Sequence, residues 1–462
     1  MENLTEAEVS MILDTYMYLN YTAPDGMNLK EVIDMLDVPS ASVNIVAANH
    51  PNEMSVLRQA VMNPQIGSIE IVNQSQNMGY DAGTNAITFR KPGSNTVYIA
   101  YRGTFDGEWL DNGNGLTQEE TIQQKRATEY FDHTVEDKII TEDDRVVVTG
   151  HSKGANKAQF VTMNSKYGEY IDVCYSIDGQ GHSQNAIEKW KNSYGPEGYT
   201  SRTNKIYGIN GENDFVSVLG NCIIPMSHIM YVKTGADCSD FVAYHDITRM
   251  FASYSVDEAG NSRITYNGRK NPYVFARGEL GDLVAGLSDD IMELPENRLD
   301  GNATTLMQVA EIGMGGQKMG LNGERMHVSD LADFTATGLG RILKRVFFTP
   351  EGAAFLSRLS ASEQLSRDYG IDDTVIVNYS KLFDEAQKLE GISTYLEALL
   401  LELEVTGLQL PFYLDGIVIK KGNIQGQLAR MYMNKKQLYE RSRTLQTIAQ
   451  LYQQYDASLE IT

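Results

Sequence analysis

The sequence predicts an α/β protein, a mainly parallel sheet with helices on both faces, followed by an all-α C-terminal domain. Three observations carry that expectation. Between about residue 70 and residue 250, short apolar strands alternate with helical stretches, the texture of a parallel sheet whose crossovers are helices. Inside that region "RVVVTGHSKGANKA" (145–158) passes from valine strand to glycine turn to helix without a gap. Beyond residue 328 the strands stop and leucines recur every seventh residue, the spacing of helices packed along one seam.

Taken in chain order, residues 1–69 read as a helical extension packed on the α/β domain. "MENLTEAEVSMILDTYMYLN" is acidic and amphipathic, and "TAPDG" and "DVPSAS" break the helices that follow. Residues 70–312 are the α/β domain. "AITFRK" and "TVYIAYRG" are its first strands, bounded by the turns "DAGTN" and "KPGSN". A helix follows over 117–138; "RVVVTG", "IDVCYSID", "TNKIYGING" and "HIMYVKTG" continue the strand series, and "YSVDEAGNSRITYN" reads as a hairpin appendage. Residues 313–327 form a glycine-rich linker. Its "GMGGQKMGLNG" lacks the GK[ST] ending of a phosphate loop.

Residues 328–462 are helical. Leu382, Leu389, Leu396 and Leu403 make one seam; Met431, Leu438, Leu445, Tyr452 and Leu459 make another. The breaker-rich "TGLQLPFYLDGIVIKKGN" between them predicts an antiparallel hairpin. It closes on its own bundle or recruits a small helical-hairpin partner.

Composition narrows the function. The chain has 462 residues, 42% hydrophobic and 22% charged, with a formal net charge of -22. That balance opposes nucleic-acid binding, which needs a basic face. Three cysteines, Cys174, Cys222 and Cys238, lack zinc spacing and are too few for a disulfide framework. No basic, apolar leader of the Sec type opens the chain, and no stretch reaches the roughly 18 apolar residues of a membrane span. The expectation is a soluble protein, cytoplasmic or exported by a signal-less route.

The chemistry centres on Ser152. Gly150-His151-Ser152-Lys153-Gly154 is G-x-S-x-G, with strand before and helix after, the context of a nucleophile elbow. The glycines at 150 and 154 allow close backbone approach around a strained serine. A serine hydroxyl needs a base and an orienting carboxylate. Asp214 in "GENDFVSVLG" follows a strand, and Asp178 in "SIDGQGH" is the runner-up. Of seven histidines, His228 and His245 follow Asp214 at usable positions; His245, reaching back from the last strand, is favoured. The oxyanion donors expected are the N–H of Lys153, after the nucleophile, and that of Thr104, after "YIAYRG". No metal or organic cofactor is called for, since "DNGNG" does not fit an EF-hand calcium loop.

"YIAYRGTFDGEWLDN", "VVVTGHSKGANKA" and "GENDFVSVLG", in this order, resemble the class 3 lipases of α/β-hydrolase fold, and more closely a bacterial lipase-like branch whose elbow reads HSKG. The resemblance spans about residues 70 to 250. It implies Ser152 as nucleophile, Asp214 as orienter and Thr104 at the oxyanion position. It also implies a mobile lid from Phe105 to about Gly115, with Trp109, and His245 rather than His228 as base. The substrate it implies is an acyl lipid or phospholipid, and the activity a lipase or phospholipase A type. The C-terminal seams, with Tyr452 and Asp456 in a YxxxD pattern, resemble type VII secretion targeting modules, which would make this a secreted effector. The alternatives are an inactive hydrolase-fold interaction protein, or a thioesterase or peptidase on the same fold.

Overall fold

The computed structural model describes residues 3–313, except 39–43, 79–84, 106, 237–240, 257–261, 267 and 275, together with 330, 333–338, 341, 342 and 345. The leucine seams, the Tyr452/Asp456 pair and nearly all of the glycine-rich linker lie outside the described residues. Met1–Leu331 forms one compact unit.

Helices α1 (Glu6–Met17), α2 (Leu29–Leu36), α3 (Asn44–Asn49), α4 (Pro51–Ala60) and α5 (Pro64–Gly67) open the chain. Strands β1 (Glu70–Gln74), β2 (Ala86–Arg90) and β3 (Thr96–Tyr101) follow, then α6 (Trp109–Thr117) and α7 (Ile122–Glu136). Next come β4 (Arg145–His151), α8 (Lys153–Asn164), β5 (Ile171–Ile177), α9 (Gln184–Thr203), β6 (Ile206–Gly211) and β7 (Ile229–Val232). A separate hairpin, β8 (Ala252–Val256) and β9 (Ser262–Tyr266), precedes β10 (Tyr273–Val274), α10 (Glu279–Met292) and α11 (Glu296–Gly313).

The main sheet has 8 strands in the order β1-β2-β3-β4-β5-β6-β7-β10. Strands β3 through β7 run parallel, with β1, β2 and β10 antiparallel at the edges. Alternation along β4 shows how the layers divide. Val147 faces a core built with α1, α2 and α4, whereas Val146 and Val148 face one built with α7, α8 and α9. Both faces of the central strands are therefore buried, which is why they read as continuous apolar runs.

The N-terminal helices thus supply one of the two helical layers. Helix α1 begins with a capping box, Thr5 and Glu8 satisfying each other's backbone N–H, and is buried from Glu8 to Met17. One of its buried polar groups has a partner in the sheet: Asp14 Oδ2 accepts from Thr149 Oγ1 at 2.7 Å. Helix α11 lies against α6, and Gly113 permits the contact, since a Cβ there would come within 2.8 Å of Thr304 Cα. Among the described residues no helix is long and apolar enough to cross a membrane.

Candidate active site

Strand β4 ends at His151, α8 starts at Lys153, and Ser152 alone makes the turn, at φ 60° and ψ −126°. That conformation is uncommon for a residue with a side chain and is kept only where the surroundings impose it. Here they do. Ser152 N–H donates to Ile177 O at 2.9 Å, extending the β4–β5 ladder through the turn. A Cβ on Gly150 would overlap the backbone of Gly154, and one on Gly154 would overlap the Tyr101 carbonyl. The two glycines are therefore needed for the first turn of α8 to pass this close to β4 and β3.

Asp214 sits in the loop after β6, fully buried. Its Oδ2 accepts from the N–H groups of Val216 at 3.1 Å and Ser217 at 2.5 Å, and its Oδ1 lies 2.6 Å from His245 Nδ1. The chain between them leaves the sheet along β7 and returns through a short 3₁₀ helix, Phe241–His245. His228 goes elsewhere: its ring stacks on Tyr207 at 4.2 Å and its Nδ1 is 3.1 Å from Ile206 O. Of the two carboxylates weighed from the sequence, Asp214 meets His245, and Asp178 meets a different histidine.

Ser152 and His245 line the same cavity, of about 480 Å³. Its wall mixes apolar Trp109, Val242 and Ile247 with polar Asn52, Glu53 and Arg249. Thr104 lies on the wall too, its Oγ1 accepting from Asn112 Nδ2 at 2.9 Å. Lys153 N–H is the first of α8, one of the donors a helix leaves without an intrahelical partner. His245 Nε2 has no hydrogen-bond partner among the described residues; catalytic hydrogen bonds often tighten only around substrate.

The segment read as a lid is helix α6 with the loop before it. Trp109 is half-buried and lines the cavity, while Phe105, also half-buried, packs under the Arg102 guanidinium at 4.2 Å. Buried charges fasten the segment. Lys153 Nζ lies 2.9 Å from Asp111 Oδ2 and donates to Asp111 O at 3.0 Å, and Arg102 pairs with Glu108 at 2.5 Å. The Gly107 N–H donates to Glu311 of α11. Nearby Lys157 is wholly buried, which brings its ammonium down to about 7.

Sequence reasoning missed Tyr18 and the part played by His151. Tyr18, the residue that closes α1, places its hydroxyl 2.5 Å from His151 Nδ1 and reaches the cavity. The opposite nitrogen, His151 Nε2, is 3.6 Å from Asp178 Oδ2, and the His151 ring packs on that of His245 at 4.6 Å. Burial, and then the proximity of His245, holds His151 well below its ordinary value, so it is neutral. Burial, and then the charge of Asp214, raises Asp178 well above the carboxylate range.

The family model described as Mbeg1-like matches residues 62–238, a span that holds Ser152 and Asp214 and stops short of His245. The fold is that of a lipase-like α/β-hydrolase. A comparison with curated proteins finds no match. Among solved structures, a fungal lipase–inhibitor complex, described as a model for interfacial activation in lipases, is 12% identical. The match covers 58% of this chain and 85% of that one, at a TM-score of 0.27. The native Rhizomucor miehei lipase–propeptide complex is 14% identical over 50% of this chain and 75% of its own, at a TM-score of 0.22. The fold rests on the strand order and on the strand–turn–helix passage at Ser152.

Proposed function

We propose that the protein is a serine-dependent carboxylic ester hydrolase that releases fatty acid from acyl lipids. The observation that carries this reading is Ser152, held at φ 60° on the elbow, sharing one cavity with His245, whose Nδ1 stands 2.6 Å from the buried Asp214. Ser152 Oγ attacks the acyl carbonyl while His245 Nε2 takes its proton, and Asp214 holds the imidazole in the tautomer that leaves Nε2 free. The carbonyl oxygen becomes an oxyanion, stabilised by the N–H groups of Lys153 and Thr104. Collapse of the tetrahedral intermediate expels the alcohol, which takes the proton back from His245. Water then attacks the acyl-enzyme with His245 again as base, freeing the fatty acid and Ser152. No step uses a metal or an organic cofactor.

The mixed wall favours an amphiphile, with the acyl chain along Trp109, Val242 and Ile247 and a polar head near Asn52, Glu53 and Arg249. The test is fatty-acid release from phospholipid vesicles and from a triacylglycerol emulsion. The expected result is release by wild type, faster from phospholipid, and none by Ser152→Ala. Equal release by both proteins, or none from folded wild type, contradicts the proposal.

A further inference from the structure

Beside His245 stand two buried groups to which the proposed mechanism gives no task, His151 and Asp178. His151 and Asp178 are 3% and 0% exposed, and the side chain of His245 is 13% exposed. His151 Nε2, Asp178 Oδ2 and His245 Nε2 are all buried and lack a hydrogen-bond partner. One donor atom from each of the three residues lies within 4.8 Å of the other two. Three buried polar groups left without partners this close together cost stability unless something fills the gap between them.

The arrangement has the marks of a ligand set. Metal-binding histidines tie up the second ring nitrogen, which fixes the tautomer and aims the free lone pair. His245 is tied in that way, its Nδ1 to Asp214 Oδ1 at 2.6 Å; His151 Nδ1 lies 2.5 Å from the Tyr18 hydroxyl, which leaves Nε2 its lone pair in the tautomer where Nδ1–H donates to the tyrosine oxygen. Asp178 is held too, its Oδ1 accepting from Gly211 N–H at 2.7 Å, so that Oδ2 alone faces the histidines. Tetrahedral zinc, at about 2.0–2.2 Å from each donor, needs donors roughly 3.3–3.5 Å apart. His151 Nε2 and Asp178 Oδ2, at 3.6 Å, already stand near that spacing. The cavity lined by His151 and His245 gives an entry path.

We infer that the imidazoles of His151 and His245 and the carboxylate of Asp178 form a binding site for a divalent zinc-class cation. Two nitrogens and one oxygen, with water in the fourth position, suit zinc and disfavour magnesium or calcium, which prefer all-oxygen shells. The ion occupies the Nε2 lone pair that His245 needs as a base. Resting on the ester-hydrolase reading above, binding and catalysis exclude one another, and zinc is an inhibitor of the enzyme rather than its cofactor.

The experiment titrates chelator-treated full-length protein with Zn2+ by calorimetry and with Co2+ by visible absorption. The expected result is one equivalent bound, with the intense visible bands of four-coordinate cobalt. Ser152→Ala should bind equally well. Asp178→Asn keeps an oxygen for Gly211 N–H and should weaken zinc by at least about tenfold, given that even outer-shell changes cost ~10–100-fold. His151→Gln is the second variant should Asp178→Asn fail to fold. Equal affinity in wild type and in folded variants, or no binding by wild type, overturns the site. A parallel fluorophosphonate assay separates the two readings. Labelling without zinc that zinc leaves unchanged sinks the metal site, whereas zinc binding by a protein that never labels sinks the hydrolase reading.

Discussion

Asp214→Asn should abolish turnover while leaving the fold in place, and the reason lies in two backbone hydrogen bonds. Asp214 Oδ2 accepts from Val216 N–H and Ser217 N–H, at 3.1 and 2.5 Å, while Oδ1 faces His245 Nδ1 at 2.6 Å. An asparagine can keep its oxygen on the two N–H groups and turn its NH2 to His245. The opposite orientation presses NH2 against two buried donors and costs roughly 1–3 kcal/mol for each one left unsatisfied. The first orientation wins. His245 then has to accept at Nδ1 and carry its proton on Nε2, the atom that should take the serine proton. A wrong tautomer of this kind lowers kcat by ~10⁴, about 5.4 kcal/mol of barrier. The assay is steady-state hydrolysis of a short-chain chromogenic ester near neutral pH, with KM and the melting temperature as controls. A folded variant that keeps kcat within tenfold of wild type would refute both the tautomer argument and the assignment of His245 as base.

Other outcomes follow from the same geometry. Gly154→Ala should destabilise or prevent folding, because the added methyl overlaps the Tyr101 carbonyl; thermal melting within a degree of wild type contradicts the close approach. Asp111→Ala strands the buried Lys153 ammonium and should cost about 3–5 kcal/mol in denaturant unfolding. Lys153→Met with Asp111→Leu should recover most of that loss. His182 is buried against Phe160 and Trp190, and burial lowers its pKa from 6.5 to about 3. It is neutral when folded and takes up a proton on unfolding. Its contribution is therefore complete above pH 6.5 and lost as pH falls towards 3, with a slope of up to about 1.4 kcal/mol per pH unit. His182→Gln should flatten that limb of the stability–pH curve; an unchanged slope contradicts the assignment.

The strand series and the elbow were legible because the constraints there are local. A valine run, two glycines and a serine within "VVVTGHSKG" encode a tight turn that few other residues could make. Asp214 and His245 could be narrowed by chain order and by the scarcity of histidine. Tyr18 could not, since its contact with His151 joins residues 133 apart in the chain. Helix α1 reads as amphipathic from its own sequence, yet it is buried from Glu8 to Met17 between the sheet and α4. His151 reads as the spacer of a pentapeptide, and only its position at the end of β4, facing Asp178 at the end of β5, gives it partners. The stretch "DNGNG" falls in the segment that the family resemblance implies is a mobile lid. Gly113 admits the backbone of α11 and Gly115 admits the Lys153 ammonium, contacts set by elements far away in sequence. Pattern reveals what a segment does by itself, and long-range packing decides the rest.

The most direct measurement is covalent labelling with a fluorophosphonate, read by intact mass and peptide mapping. The account predicts one adduct per chain, located on Ser152, absent from Ser152→Ala and slowed at least a thousandfold, on the order of the ~10⁴ tautomer effect, in Asp214→Asn. A folded protein that stays unlabelled, or that labels at another residue, would contradict the claim that Ser152 is a nucleophile.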